Sequence, residues 1–172
     1  MTTTARSSNE QRLLVRSLER SFARLDLARL NGKRINLDVY GLTGDRDFAR
    51  ELLAANLGEK GVRVAHPAET ADINVKIFIN ALAVDQDDSL IGIPAFTAPL
   101  IGSPVPEVAL FKAVRNRGHA ELQLFVFDEI SGNFVERSPR AVGRAKYDEY
   151  TVAVWINFTV NDLDEPRRSE ER

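Results

Sequence analysis

The chain contains no cysteine, which excludes disulfides, thiolate metal sites and cysteine nucleophiles while leaving the compartment open. It has only two histidines, His66 and His119. Both fall in stretches that read as turns, with no nucleophile or ligand cluster nearby in sequence, and both read as surface residues. No apolar run approaches the roughly eighteen residues a spanning helix needs, and residues 1–9 lack the apolar stretch of an export signal. An excess of one charge is missing too: 23 basic against 25 acidic side chains leave a formal charge of −2. Nothing global therefore draws the chain to nucleic acid. The carboxylates lie on helix fronts and turns, and no spacing picks out an acid and base pair. The expected protein is not an enzyme and uses no cofactor and no metal.

What is present suffices for one domain. At 172 residues, 44% hydrophobic and 28% charged, the chain can build a core without staples. Its organising pattern is strict alternation in residues 71–84. Ile73, Val75, Ile77 and Ile79 fall on one side and Asn74, Lys76, Phe78 and Asn80 on the other, the period of a strand buried on one face. At residues 80–82 the alternation shifts phase, which predicts a bulge. The same pattern returns in residues 34–40 with Ile35, Leu37 and Val39, and in residues 150–160 with Val152, Val154, Ile156, Phe158 and Val160.

Helical signals separate these strands. Ser7 and Glu10 are spaced as a capping box that opens a helix to about residue 30. Leu14, Leu18, Phe22 and Leu25 form its apolar back; Arg12, Arg16, Arg20 and Arg24, each four apart, form its front. The arginine stripe reads either as a solvated face or as a contact for anionic lipid headgroups or an acidic partner. After the first strand, Gly41-Leu42-Thr43-Gly44-Asp45 leads into a second helix carrying Phe48, Leu52, Leu53 and Leu57. A phosphate site is disfavoured, because the third glycine of a dinucleotide loop and the lysine of a P-loop are missing and Asp45 and Asp47 would repel an anion. Residues 62–65 form a short strand parallel to the first.

Residues 85–88 (DQDD) resemble a scrap of calcium loop, but Leu90 and Phe96 stand where its glycine and glutamate belong, so a solvated turn is expected. Residues 90–106, LIGIPAFTAPLIGSPVP, carry four of the seven prolines. That density predicts an apolar loop, either packed on its own domain or kept for a partner or membrane. Residues 107–114 and 120–127 read as strands joined by a hairpin loop at residues 115–119, with a further short strand at 134–137 and a last strand to about residue 160. Phe78, Phe125, Phe127 and Trp155 share the mixed face, yet the glycine-aromatic and basic motif of RNA-binding sheets is absent. Residues 1–7 and the charged tail 161–172 are expected to be disordered, leaving one domain at 8–160.

The order of elements, a helix at SSNEQRLLVRSLERSF, strands at KRINLDVYGL and VRVA around a helix at DRDFARELLAANLGEKG, then ADINVKIFINA leading into a meander, resembles the sheet-and-helix domain of exported bacterial proteins. Examples are the N-terminal domain of the Tol translocation protein and the curli-export lipoprotein. With GIPAFTAPLIGSPVPEVALFK, the chain is more specifically similar to an uncharacterised family of bacterial envelope lipoproteins. That resemblance implies a periplasmic, lipid-anchored location and transfers no catalytic residue. It departs in lacking a signal segment and a lipid-bearing cysteine, so a chain starting just after that cysteine is expected.

Together these readings predict an α/β two-layer sandwich, a mixed, mostly antiparallel sheet with two helices on one face. The expected function is a non-enzymatic envelope module that binds another envelope protein, not nucleic acid. Its contact residues would be Ile91, Ile93, Pro94, Phe96, Pro99, Leu100, Ile101, Phe78, Phe125 and Trp155, with Arg12, Arg16, Arg20 and Arg24 towards a membrane or acidic partner. The alternative is a small-ligand or lipid-binding domain with residues 90–106 as its lid.

Overall fold

The computed structural model describes residues 6–66, 69–97 and 104–163. Ser7 opens α1 (Ser8–Phe22), its Oγ accepting the Glu10 N–H at 3.2 Å as the sequence spacing predicts. The helix stops at Phe22 instead of continuing to residue 30, and a single 3-10 turn (Ala28–Leu30) then buries Leu30. β1 (Arg34–Gly41), α2 (Arg46–Glu59) and β2 (Arg63–Val64) follow, with β1 and β2 parallel.

β3 (Ile73–Ile93) runs parallel to β1 as far as Ile79 and antiparallel to β6 (Val108–Asp128) throughout. The register shift between Ile79 and Ala81 is the bulge that the phase change predicts. β7 (Phe134–Arg137) and β8 (Ala141–Val152) both pair with β6, and β9 (Ile156–Asn161) pairs with β8. The main sheet has the order β2-β1-β3-β6-β8-β9 and is curled into a half-barrel. β4 (Phe96–Thr97) and β5 (Pro104–Val105) form a separate two-stranded ladder.

One buried cluster joins the sheet to both helices: Ile35, Leu37, Val75, Ile77, Leu122 and Leu124 pack with Leu18 and Phe22 of α1 and Leu53 and Leu57 of α2. Burying each such side chain stabilises the fold by about 1.5–3 kcal/mol. Between Leu13 and Ser21 α1 approaches the sheet backbone itself. A Cβ on Gly143 would lie 1.9 Å from the Ser17 carbonyl oxygen, and one on Gly118 2.5 Å from that of Leu13. Only glycine admits a helix backbone this close. Ser17 and Ser21 are fully buried in the same seam, and their hydroxyls donate to the Leu14 and Leu18 carbonyls at 2.9 and 2.8 Å, so no polar atom of theirs goes unpaired.

Several sequence expectations are corrected. Residues 85–88 are not a turn but lie within β3, and Arg115 to His119 are not a hairpin loop but the middle of β6. Gly118 serves there as the seat of α1. Residues 90–106 are not one irregular loop: Leu90 to Ile93 finish β3 and Phe96-Thr97 and Pro104-Val105 pair. Cross-strand hydrogen bonding organises the described ends of this stretch, β3 pairing with β6 as far as Ile93 and Phe96-Thr97 with Pro104-Val105. The last strand divides at a turn of Ala153, Val154 and Trp155, which removes Val154 from the predicted alternation. Leu163, expected in a tail, is buried against Leu13 and Ala145.

Candidate functional site

β3, β6 and β8 run on past the region covered by α1, and β9 joins them there to make a four-stranded extension, here termed the wing. Paired residues in a ladder share a face, so the register sorts its side chains. On the helix-free face Ile93 and Val108 form one row, Ile91, Phe111, Val152 and Ile156 the next, then Ser89, Ala113, Tyr150 and Phe158. The opposite face carries Leu90, Lys112, Thr151 and Asn157, then Asp88, Val114, Glu149 and Thr159. One face of the wing is apolar and the other polar.

The apolar face is exposed at Ile91, Ile93, Val108, Ile156 and Phe158 and half-buried at Phe111, Tyr150 and Val152. Among the described residues, eleven of the eighteen exposed large hydrophobic side chains lie in residues 90–110 and 154–160, Leu90 among them on the opposite face, so exposed apolar surface is concentrated at this end rather than scattered. Tyr150 and Phe158 stack at 5.1 Å, and Phe111 lies 6.3 Å from Tyr150. Trp155 is 78% exposed at the far turn. It is presented by Ala153 and Val154, both in the left-handed region at φ 50° and 72°, a conformation that is an outlier for a β-branched residue. Their N–H groups donate to the Leu110 and Ala109 carbonyls at 2.9 and 3.1 Å, which holds this turn against β6.

A charged row bounds the patch towards the core. Arg115 meets Asp87 at 3.4 Å, and the Arg117 guanidinium grips both carboxylate oxygens of buried Asp148. That hydrogen bond raises the Arg117 pKa although partial burial opposes it.

The predicted contact residues separate into three groups. Ile91, Ile93 and Phe96 are exposed on the wing or at its tip with Trp155, and Pro94 joins β3 to β4. Phe78 and Phe125 form a second patch with Tyr40, at ring separations of 5.2 Å in each pair. At about 3.3 Å per residue, Phe78 is about 40 Å along β3 from Ile91, so the structure does not bring the two together. Pro99, Leu100 and Ile101 lie outside the described residues. Strand register brings Val108, Phe111, Tyr150, Ile156 and Phe158 onto the same face, which no local sequence signal joins because three strands must first be aligned.

The arginine stripe is not one open face. Arg20 donates to Asp162 at 2.8 Å and to the Arg144 carbonyl at 2.6 Å, Arg24 donates to the Val142 carbonyl, and Arg16 pairs with Glu19 at 3.3 Å. Arg12 is also engaged. Burial acts to raise the Asp162 pKa, but the Lys146 N–H and Arg20 outweigh it and the net shift is downward.

An apolar groove of about 450 Å³ lies between α1 and the start of α2, lined by Leu14, Val15, Leu18, Phe48 and Leu82. Arg6 and Asp45 pair at its rim, and that bond holds the Asp45 carboxyl below its ordinary range. Among the described residues, none that lines it comes from 90–97 or 104–106, so those parts of the segment do not cover this cavity. Among the described residues no three His, Asp or Glu side chains are grouped to hold a metal, and no helix is long and apolar enough to cross a membrane.

Fold and site together define an α/β domain bearing an apolar, strand-built extension. No protein-family model matches the chain, and no curated protein does. A neuraminyllactose-binding hemagglutinin homolog from Helicobacter pylori is similar over 78% of this chain and 74% of its own, at 10% identity and a TM-score of 0.35. That likeness carries no argument here.

Proposed function

We propose that the protein is a non-enzymatic interaction or assembly module of the bacterial cell envelope, with the apolar end of the wing as its contact surface. The observation that carries this reading is the concentration of exposed apolar side chains on that one segment. A soluble monomer gains nothing from keeping such a face in water. The fold then has a division of labour: helices over the aliphatic part of the curled sheet make the core, and the uncovered continuation makes contacts. The envelope location and a lipid anchor rest on the resemblance alone. Mass spectrometry of the natively expressed full reading frame checks them, and an unmodified, cytosolic product removes them.

The contact surface is tested by placing a photo-crosslinking residue at Trp155 and, separately, at Leu42, which is fully exposed on the core. Discrete adducts at position 155 and none at 42 support the reading; equal labelling, or none at 155, refutes it. The arginine stripe as a membrane contact competes with its internal bonds, since Arg20 and Arg24 serve β8 and Arg12 and Arg16 are also engaged. Neutralising all four should weaken binding to anionic vesicles by up to about 1 kcal/mol per residue, and unchanged binding refutes that contact.

A second reading, binding of a small apolar ligand, is favoured by the groove between the helices. Val15→Trp would fill it. Loss of binding of an apolar fluorescent probe on that substitution supports the reading, and unchanged binding refutes it.

A further inference from the structure

The two edges of the wing are built differently. Beyond Ile79, β3 has no partner on its outer side among the described residues, because β1 pairs with it only from Ile73 to Ile79. That edge carries Asp85, Asp87 and Asp88, and charges on an open edge keep foreign strands away. β9 forms the other edge. All six of its residues are exposed. INFTVN contains no charge, no proline and no glycine, and its ladder with β8 has no register shift. Among the described residues, every device that blunts a natural edge strand is missing.

We propose that β9 is a self-pairing edge. Two copies of this chain join antiparallel through β9, about a two-fold axis normal to the sheet with Phe158 on it, and the two wings become one continuous sheet of eight strands. This rests on the reading of the wing as the contact surface and names its partner.

The alternation in β9 selects both the mate and the register. Ile156, Phe158 and Val160 lie on the apolar face, and Asn157, Thr159 and Asn161 on the polar one. With Phe158 opposite its own copy, Ile156 meets Val160 and Asn157 meets Thr159, so each face continues across the junction. A slip of one residue would set Phe158 against Thr159 and turn one wing over. Slips of two residues keep the faces matched but leave one of the apolar residues unpaired. A second copy brings the same neutral strand, so no charge is desolvated and no like charges meet. A partner with a charged edge would lose both advantages. The contact is small, which places it among weak, concentration-dependent associations.

Sedimentation velocity of the whole chain from about 10 to about 300 µM spans that range. The wild-type chain should shift from monomer towards dimer. Phe158→Lys and Phe158→Glu should each weaken the association about tenfold or more, because like charges then face each other on the axis. An equimolar mixture of the two should restore it. Because the chain has no cysteine, Phe158→Cys offers a second readout. Across an antiparallel pair the Cα atoms stand about 4.5–5.5 Å apart, within disulfide reach, so mild oxidation should link two chains, whereas Ser89→Cys near the other edge should not link. A wild-type chain that stays monomeric, single variants that associate like wild type, a mixture that does not recover, or equal linking at 89 and 158 would each overturn the proposal. A monomeric chain that still gives adducts with a different protein at position 155 would sink self-pairing and leave the wing reading intact.

Discussion

Gly143→Ala adds one methyl group where α1 leaves no room for it. The new Cβ would lie 1.9 Å from the Ser17 carbonyl oxygen, 2.4 Å from the Ser21 nitrogen and 3.0 Å from the Arg20 carbonyl carbon. Two opposing effects must be weighed. Alanine in place of a strand glycine restricts the unfolded chain and on that ground alone stabilises by about 0.5–1 kcal/mol. Ordinary contact, however, requires the helix to retreat by about 1.5 Å, and a gap of even 0.5–1 Å forfeits a quarter to a half of the dispersion at the parted surfaces. α1 buries Leu13, Leu14, Leu18 and Phe22, worth about 6–12 kcal/mol at the usual figure per side chain. Losing a third to a half of this costs about 2–6 kcal/mol, so the steric effect wins. Urea unfolding followed by circular dichroism measures the difference. Gly58→Ala in α2, where an added Cβ meets nothing within 4 Å, is the matched control and should stabilise by about 0.5–1 kcal/mol. A Gly143→Ala chain within about 1 kcal/mol of wild type would refute the close seating of α1 on β8.

Relieving the strained turn with Ala153→Asn and Val154→Gly should stabilise by about 1–2 kcal/mol, raising Tm by about 2–4 °C per kcal/mol; an unchanged Tm in thermal denaturation would contradict it. Arg117→Ala removes the partner of buried Asp148 and should cost about 1–3 kcal/mol, while Arg117→Lys recovers only part because an ammonium cannot grip both carboxylate oxygens; full recovery would refute the forked geometry. Asp128, held by the Ser131 hydroxyl and N–H, Asp45, held by Arg6, and Asp162, held by the Lys146 N–H and Arg20 against its burial, all have lowered pKa values. A carboxylate more acidic when folded binds fewer protons there, so its contribution is complete above the ordinary carboxylate pKa and disappears as pH falls through the depressed one. Stability should therefore be level near neutrality and decline below about pH 4, with a shallower decline in Asp162→Asn; an equally steep decline would discount that site.

The core was legible because its signals are local. Ile35, Leu37 and Val39 and the set from Ile73 to Ile79 alternate in sequence and are buried in the structure, and the Ser7–Glu10 spacing alone located the start of α1. The wing was not legible, for three physical reasons. Gly118 is a turn signal and also a seat for a helix, and sequence alone cannot separate these roles because both exploit the missing Cβ. Residues 85–88 place charge on both faces of β3, so no period marks them as a strand; their conformation comes from β6, far along the chain. Pro94, Pro104 and Pro106 disfavour regular structure one residue at a time, yet these three sit at or near a hairpin end where few ladder bonds are lost.

The length of two strands and the glycine seat of α1 explain why the site sits where it does. β3 and β6 are each 21 residues long, far beyond the usual strand of five or six, and neither is broken between the core and the wing. Their inner halves, with Ile77 and Leu124, are buried with the helices, and their outer halves carry Ile91 and Phe111 on one uncovered face. Because α1 rests on the backbone at Gly118 and Gly143, it grips β6 and β8 at the foot of the wing, where a hinge would otherwise have to form. The apolar face is therefore held out by the stability of the core, which spares a partner much of the ordering entropy that a flexible proline loop would impose.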